Sequence, residues 1–316
     1  MAKTKVIFMG TPEFAVQMLE VLIEAKMDVI AIVTQPDKPV GRKHAIQASP
    51  VKISALSHGI VVLQPDKIKA CIEQINALNA DLIVTCAYGQ FIPSLILNHP
   101  TYGAINVHAS LLPQYRGGAP IHTAIIDGQT ETGISIMRMV KRMDAGDVMA
   151  QKSVAITQDD TLGTLHDKLQ ATAAALLRES LPLLLNNEAV WQVQDESSVT
   201  YAYNITKEQE FIRFNRPAAE VYNHIRGLIP WPVGFGIIGG RKIKFHNVKL
   251  LQHSLKGALG EVLGLMDGAF AVQAQDGIIL LYELQMEGKG KASAIDFFNG
   301  VGKSLVGICF DEHDES

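Results

Sequence analysis

The chain has 316 residues, of which 47% are hydrophobic and 19% charged, and its formal net charge at pH 7 is only -4. That length holds one large domain or two ordinary ones, with a composition normal for a globular protein. So small a charge excludes whole-chain attraction to a polyanion and leaves local basic surface as the only electrostatic route to nucleic acid. The three cysteines, Cys71, Cys86 and Cys309, lie far apart without CxxC spacing. They argue against a disulfide scaffold or a zinc ribbon and suit a reducing cytosol. The amino terminus lacks the long apolar core of a signal peptide, and no apolar run approaches membrane-spanning length, so a cytoplasmic protein is expected.

In chain order, "KVIFMG" predicts a strand, and Pro12 opens a helix over "EFAVQMLEVLIEA", proline being favoured in a first helical turn. "DVIAIVT" predicts the next strand, "PDKPVGRKHAIQASP" a long polar loop, and "VKISALSHG" a helix. "IVVL", "KACIEQINAL", "DLIVTCA" and "GAINVHAS" continue the alternation. β-Branched runs separated by amphipathic helices indicate a mostly parallel, Rossmann-like α/β sheet covered on both faces, with ligands outside the carboxyl ends of its strands. The first strand-to-helix turn, "FMGTPEF", has a single glycine. It is no GxGxxG fingerprint, so NAD or FAD is not expected, and no Walker loop, HExxH or GxSxG occurs.

Further on, "GISIMRMV" and "DVMAQKSVAI" read as two strands joined through a tight "DAGD" turn, followed by a long helix in "TLGTLHDKLQATAAALLRESLPLLLNN". "QVQDESSVTYAYN" is polar without helical periodicity and predicts a linker over 191–206. Residues 1–190 then form the catalytic domain, and the glycine-punctuated strands of 207–316 a second, smaller all-β barrel-like domain. Between Tyr203 and Gly260 stand nine Lys or Arg against three Asp or Glu. Either that domain faces a polyanion or its barrel surface is simply solvated.

Candidate chemistry begins at the end of "GAINVHAS", where Asn106 and His108 share a face of the strand. Left unpaired and buried, such groups cost about 1–3 kcal/mol each, so packing alone is a poor reason for them. The alternative is a pair of satisfied core polars or a capping asparagine. Leu111, Leu112 and Pro113 are apolar in a loop and suit the wall of a flat organic ligand, and Gly117 and Gly118 permit close backbone approach. Turn chemistry explains Asp147, whereas Asp144 is less well explained and supplies the carboxylate that a catalytic histidine needs. Cys86 reads as a small buried thiol, and no metal site is expected. Arg42, Lys43 and His44 lie in the long loop, which either is simply mobile or closes on phosphates.

These stretches bring a family into view. "NVHASLLPQYRGGAPI" with "MDAGD" resembles the signature of the folate-dependent formyltransferases, and "FMGTPEFA", "QPDKPVGR", "AYGQFIP" and "IPWPVGF" extend the resemblance over essentially the full chain. One departure is Val233, where the family more often has a small residue. The resemblance implies transfer of the formyl group of 10-formyltetrahydrofolate to the α-amino group of initiator methionyl-tRNA, with neither metal nor covalent enzyme intermediate and no obligate protein partner. Asn106 is then the donor to the oxyanion, His108 holds charge and moves a proton, and Asp144 orients His108 and organises a water. Ser110, Leu111, Leu112 and Pro113 line the folate site, with backbone near Tyr88, Gly89, Gln90 and Ile92 holding the pterin. Arg42, Lys43, Lys38 and Lys207 are the implied tRNA contacts. The same catalytic set also suits a sugar-nucleotide N-formyltransferase, and less well a glycinamide ribonucleotide formyltransferase or a formyl hydrolase. A non-catalytic tRNA- or folate-binding module is the reading from a different class, and it gives no reason for Asn106, His108 and Asp144 to occur together.

Overall fold

The structure, a computed structural model, describes residues 3–40, 45–252 and 257–312. The chain divides into two compact units, one of Met1–Pro120, Glu131–Ala155 and His166–Tyr203, the other of Ile121–Thr130, Ile156–Leu165 and Asn204–Ser316.

Along the first unit run β1 (Lys5–Gly10), β2 (Asp28–Val33), β3 (Lys38–Val40), β4 (Ala45–Gln47), β5 (Val62–Leu63), β6 (Leu82–Cys86), β7 (Ala104–His108), β8 (Glu131–Arg138) and β9 (Val148–Ala155). Helices α1 (Glu13–Glu24), α2 (Pro50–Ser57), α3 (Ile72–Ala77) and α4 (Ser94–Leu97) separate the earlier strands. Seven strands make one sheet in the order β5-β2-β1-β6-β7-β8-β9. The strands from β5 to β7 are parallel, and β8 and β9 are antiparallel additions. Every residue of β6, "LIVTC", is buried, as an unbroken apolar run on a doubly covered strand should be. Met9, Val33, Ile83 and Ile96 share one apolar cluster beside it. The first crossover from β1 into α1 and back to β2 is the Rossmann-like alternation read from the sequence.

Three local expectations need correction. The loop around Lys38 is not wholly irregular: β3 and β4 form a short antiparallel hairpin, pairing Lys38 with Gln47. Pro39 and the three-residue strands hid it, because proline weakens any strand reading. The connection from β8 to β9 spans 139–147 and is no tight turn; Arg138 N–H closes it onto the Asp147 carbonyl. Residues 191–203, read as part of a linker, are hydrogen-bonded into the first unit: Gln192 pairs with Val148, and Thr200 and Ala202 with Arg116. The bonds there are to distant backbone, which local polarity does not reveal.

Helix α5 (Pro120–Ile126) falls almost wholly in the second unit, α6 (Leu162–Leu185) begins in the second unit and continues in the first from His166, and α7 (Ala218–Arg226) and α8 (Ala294–Gly300) belong to the second. The second unit's antiparallel sheet contains β10 (Phe235–Ile238), β11 (Arg241–Leu251), β12 (Val262–Met266), β13 (Ala269–Gln273) and β14 (Ile278–Met286), in the order β10-β11-β14-β13-β12. A short β15 (Ala292–Ser293) adds to β14. Register shifts around Asn247 bend β11, as bulges do, and the sheet curls into an open half-barrel. Helices α7 and α8 pack against this sheet. Phe214, Phe245 and Phe310 meet ring to ring in its core. Val233 sits at φ 75°, a left-handed backbone that a β-branched residue adopts at a cost, which is why a smaller residue is the easier choice there. No helix among the described residues is long and apolar enough to cross a membrane.

Candidate active site

Asn106 and His108 sit at the carboxyl end of β7, between parallel β6 and antiparallel β8. Asn106 lies beside Thr85, whose hydroxyl donates to Asn106 Oδ1 at 2.8 Å. That bond fixes the amide and leaves its N–H groups to serve as donors elsewhere. His108 is 6% exposed, and its Nε2 lies 3.0 Å from the carbonyl oxygen of Tyr115. A carbonyl only accepts, so Nε2 carries the proton, and Nδ1 of the neutral ring is left with a free lone pair.

On the Nδ1 side stands Asp144, its Oδ2 3.8 Å away. The gap exceeds a direct hydrogen bond and suits a bridging water or a charge contact with the imidazolium. The ring is thus anchored by Tyr115 and only faced by Asp144. Asp144 itself adopts φ 46°, and its Oδ2 accepts the Gly117 N–H at 2.9 Å. Gly117 has φ 127°, and a Cβ there would overlap the Ala202 carbonyl oxygen. The close approach anticipated at this glycine is therefore made by the chain's own 200–202 segment.

That segment and its neighbours hold the site in ways the sequence did not disclose. Arg116 is completely buried. Its Nε and Nη2 donate to Gln194 Oε1 at 3.1 and 2.8 Å, and Nη2 also donates to Glu196 at 2.9 Å. Gln194 Nε2 donates in turn to the carbonyls of Asp144 and Gly146, at 2.8 and 2.7 Å. One glutamine side chain thereby ties a buried guanidinium to the loop that carries the carboxylate. The Arg116 guanidinium holds the Glu196 carboxyl below the usual range, assisted by Arg142. Thr200 Oγ1 accepts the Tyr115 N–H at 2.9 Å, so the same strap supports the residue that anchors His108.

The two loops assigned to folate leave the carboxyl ends of neighbouring parallel strands, Tyr88 to Ile92 after β6 and Ser110 to Pro113 after β7, where ligands of such sheets bind. Tyr88 and Ile92 turn into the core, and burial pushes the Tyr88 phenol up to about 12. Gln90 is spent on its own chain, accepting from Ile68 N–H and donating to the carbonyls of Pro65 and Asp66. What this loop offers a ligand is backbone, with Gly89 at φ 88°. Ser110 and Leu112 are braced through Ser135 and Gln151, while Leu111 and Pro113 are only part-buried. Lys38 and Lys207 are exposed; Arg42 and Lys43 lie outside the described residues. Cys86 is buried, with its thiol pushed up to about 12 by burial, which suits an inert packing residue.

Comparison with known proteins settles the family. The family described as formyl transferase matches residues 2–181, and the formyl transferase C-terminal domain matches residues 204–302. The chain belongs to the formyltransferase family. It is 47% identical over 315 residues to the methionyl-tRNA formyltransferase of Geobacillus sp. (strain WCH70), covering 98% of this chain and 99% of that one. It is 46% identical over 307 residues to the methionyl-tRNA formyltransferase of Staphylococcus epidermidis, covering 96% and 98%. Among solved structures, the formyltransferase fold is shared with WlaRD, a sugar 3N-formyl transferase determined with dTDP and 5-N-formyl-THF. The TM-score is 0.68 at 20% identity, over 92% of this chain and 100% of WlaRD.

Proposed function

We propose that this formyltransferase moves the formyl group of 10-formyltetrahydrofolate onto the α-amino group of methionyl-tRNA, in the cytoplasm, where initiation of protein synthesis uses it. The observation that carries this reading is the near-full-length identity of 47% to a methionyl-tRNA formyltransferase. The chemistry is acyl transfer between two nitrogens. The amine attacks the formyl carbon, the carbonyl oxygen becomes an oxyanion, and the Asn106 N–H groups donate to it. His108 Nδ1 takes the proton that the attacking amine sheds, and Asp144 faces the resulting imidazolium at 3.8 Å. The C–N bond to the folate then breaks as its nitrogen is reprotonated, releasing tetrahydrofolate. Every proton is accounted for by groups on the chain, by the two substrates or by a water between His108 and Asp144.

A direct assay offers the protein 10-formyltetrahydrofolate with methionyl-tRNA in one tube and with a UDP-amino sugar in another. Formylation of the charged tRNA alone is expected. Formylation of the sugar alone would replace this reading with the sugar-nucleotide one.

A further inference from the structure

Beside the Asp144 loop lies an aromatic feature that the catalytic chemistry does not use. Tyr201 and Tyr203 are both exposed, at 43% and 68%. Their rings stack with centroids 5.7 Å apart and planes 5° from parallel. Alternate residues of an extended segment share a face, so the pair forms a short ladder with an open outer ring. The segment is fixed to the site on both sides. Tyr201 bridges Arg116, while the flanking Thr200 and Ala202 hydrogen-bond the Arg116 backbone. Arg116 itself stands between Tyr115, which anchors His108, and Gly117, which donates to Asp144. The Arg142 guanidinium lies against the Tyr201 phenol, which with Glu196 keeps it firmly charged. Glu196 is shared by two guanidiniums, those of the buried Arg116 and the exposed Arg142, so Arg142 is the cation of this cluster that solvent reaches.

We infer that the Tyr201–Tyr203 ladder, with Arg142 beside it, is the platform on which the unpaired terminal base of the acceptor RNA stacks. The inference rests on the tRNA reading above. In an aminoacylated RNA the reacting amine and the last base hang from the same ribose, so that base must come to rest next to the pocket. A base presents a π-face that an exposed tyrosine ring matches without reading sequence, and the adjoining phosphate calls for a cation. Both rings stand open to solvent rather than in the core. Tyr203, the more exposed of the two, contributes its ring rather than its hydroxyl.

Steady-state kinetics on the full chain test the inference with Tyr203→Ala and Tyr203→Phe. Tyr203→Ala should raise KM for methionyl-tRNA roughly 10-fold, with kcat and the KM for the formyl donor unchanged, and Tyr203→Phe should restore wild-type values. Uncharged tRNA should bind Tyr203→Ala about 10-fold more weakly than wild type, whereas tRNA lacking its terminal adenosine should bind both alike. An unmoved KM in Tyr203→Ala, or a loss that Tyr203→Phe shares, overturns the stacking platform while leaving the formylation reading intact. Failure of the wild-type protein to formylate methionyl-tRNA overturns both.

Discussion

His108 Nδ1 and Asp144 Oδ2 lie 3.8 Å apart at the carboxyl end of β7, and it is the Tyr115 carbonyl, 3.0 Å from Nε2, that holds the ring. The carboxylate is therefore placed to stabilise a proton arriving at Nδ1, and the backbone decides which nitrogen is free to receive it.

Thr85 should prove to be a positioning residue for Asn106. Thr85→Val keeps the shape of the side chain and removes the donor to Asn106 Oδ1. We expect kcat to fall about 10-fold, since a misaimed oxyanion donor forfeits part of its 100- to 1,000-fold contribution, with KM values little changed and Thr85→Ser restoring turnover. An unaltered kcat in Thr85→Val would show that β7 alone fixes the amide.

Gln194 joins stability to catalysis. Gln194→Leu strips the Arg116 guanidinium of its main acceptor and frees the Asp144 and Gly146 carbonyls. Breaking a buried charge network costs about 3–5 kcal/mol, which urea unfolding should register, and kcat should drop about 10-fold as the Asp144 loop loosens. Adding Arg116→Met removes the stranded charge, so the double variant should regain stability without regaining turnover. Recovery of both together would make Gln194 purely structural.

His224 predicts acid sensitivity in the second unit. It is 8% exposed, and burial, aided by Arg216 and Arg213, pulls its pKa down to about 4. Nε2 meets the Gln209 carbonyl at 2.7 Å and Nδ1 accepts from Arg216 at 2.8 Å, so the neutral ring is the one the fold uses. The unfolded chain binds the proton more tightly, so the stabilisation is complete above about pH 6.5 and is lost as pH falls towards 4. Between pH 7 and 5 the second unit should lose about 2 kcal/mol from this group, measured by urea titration. His224→Gln should flatten that dependence; an unchanged slope would assign it to other groups.

The basic loop should act on RNA alone. Arg42→Ala with Lys43→Ala should weaken tRNA binding and reduce its salt slope by about 1–2, each phosphate contact contributing roughly 0.9. The KM for the formyl donor should stay put. Equal losses for both substrates would remove these side chains from the RNA interface.

Much of this was legible in residue order because strand ends are written locally. The alternation of "KVIFMG", "DVIAIVT" and "DLIVTCA" with amphipathic helices encodes the parallel sheet, and Asn106 and His108 stand out as polar residues finishing a buried strand. Asp144 was recognisable by what turn chemistry failed to explain. The supporting residues left no such trace. Arg116 reads as one basic residue in a loop, and its burial depends on Gln194 and Glu196, partners 78 and 80 residues away. The resemblance implied only a backbone contact near Tyr88, and that its ring packs in the core is a fact the motif did not carry. Residues 191–203 looked like a linker because backbone pairing to a distant loop carries no hydrophobic signature.

The most direct test is single-turnover formyl transfer with saturating 10-formyltetrahydrofolate and methionyl-tRNA, comparing the wild-type protein with Asn106→Ala and His108→Ala. Each variant should retain its fold and transfer the formyl group at least about 100-fold more slowly. A folded His108→Ala protein that transfers at the wild-type rate would contradict the proton-accepting role on which the proposed chemistry is built.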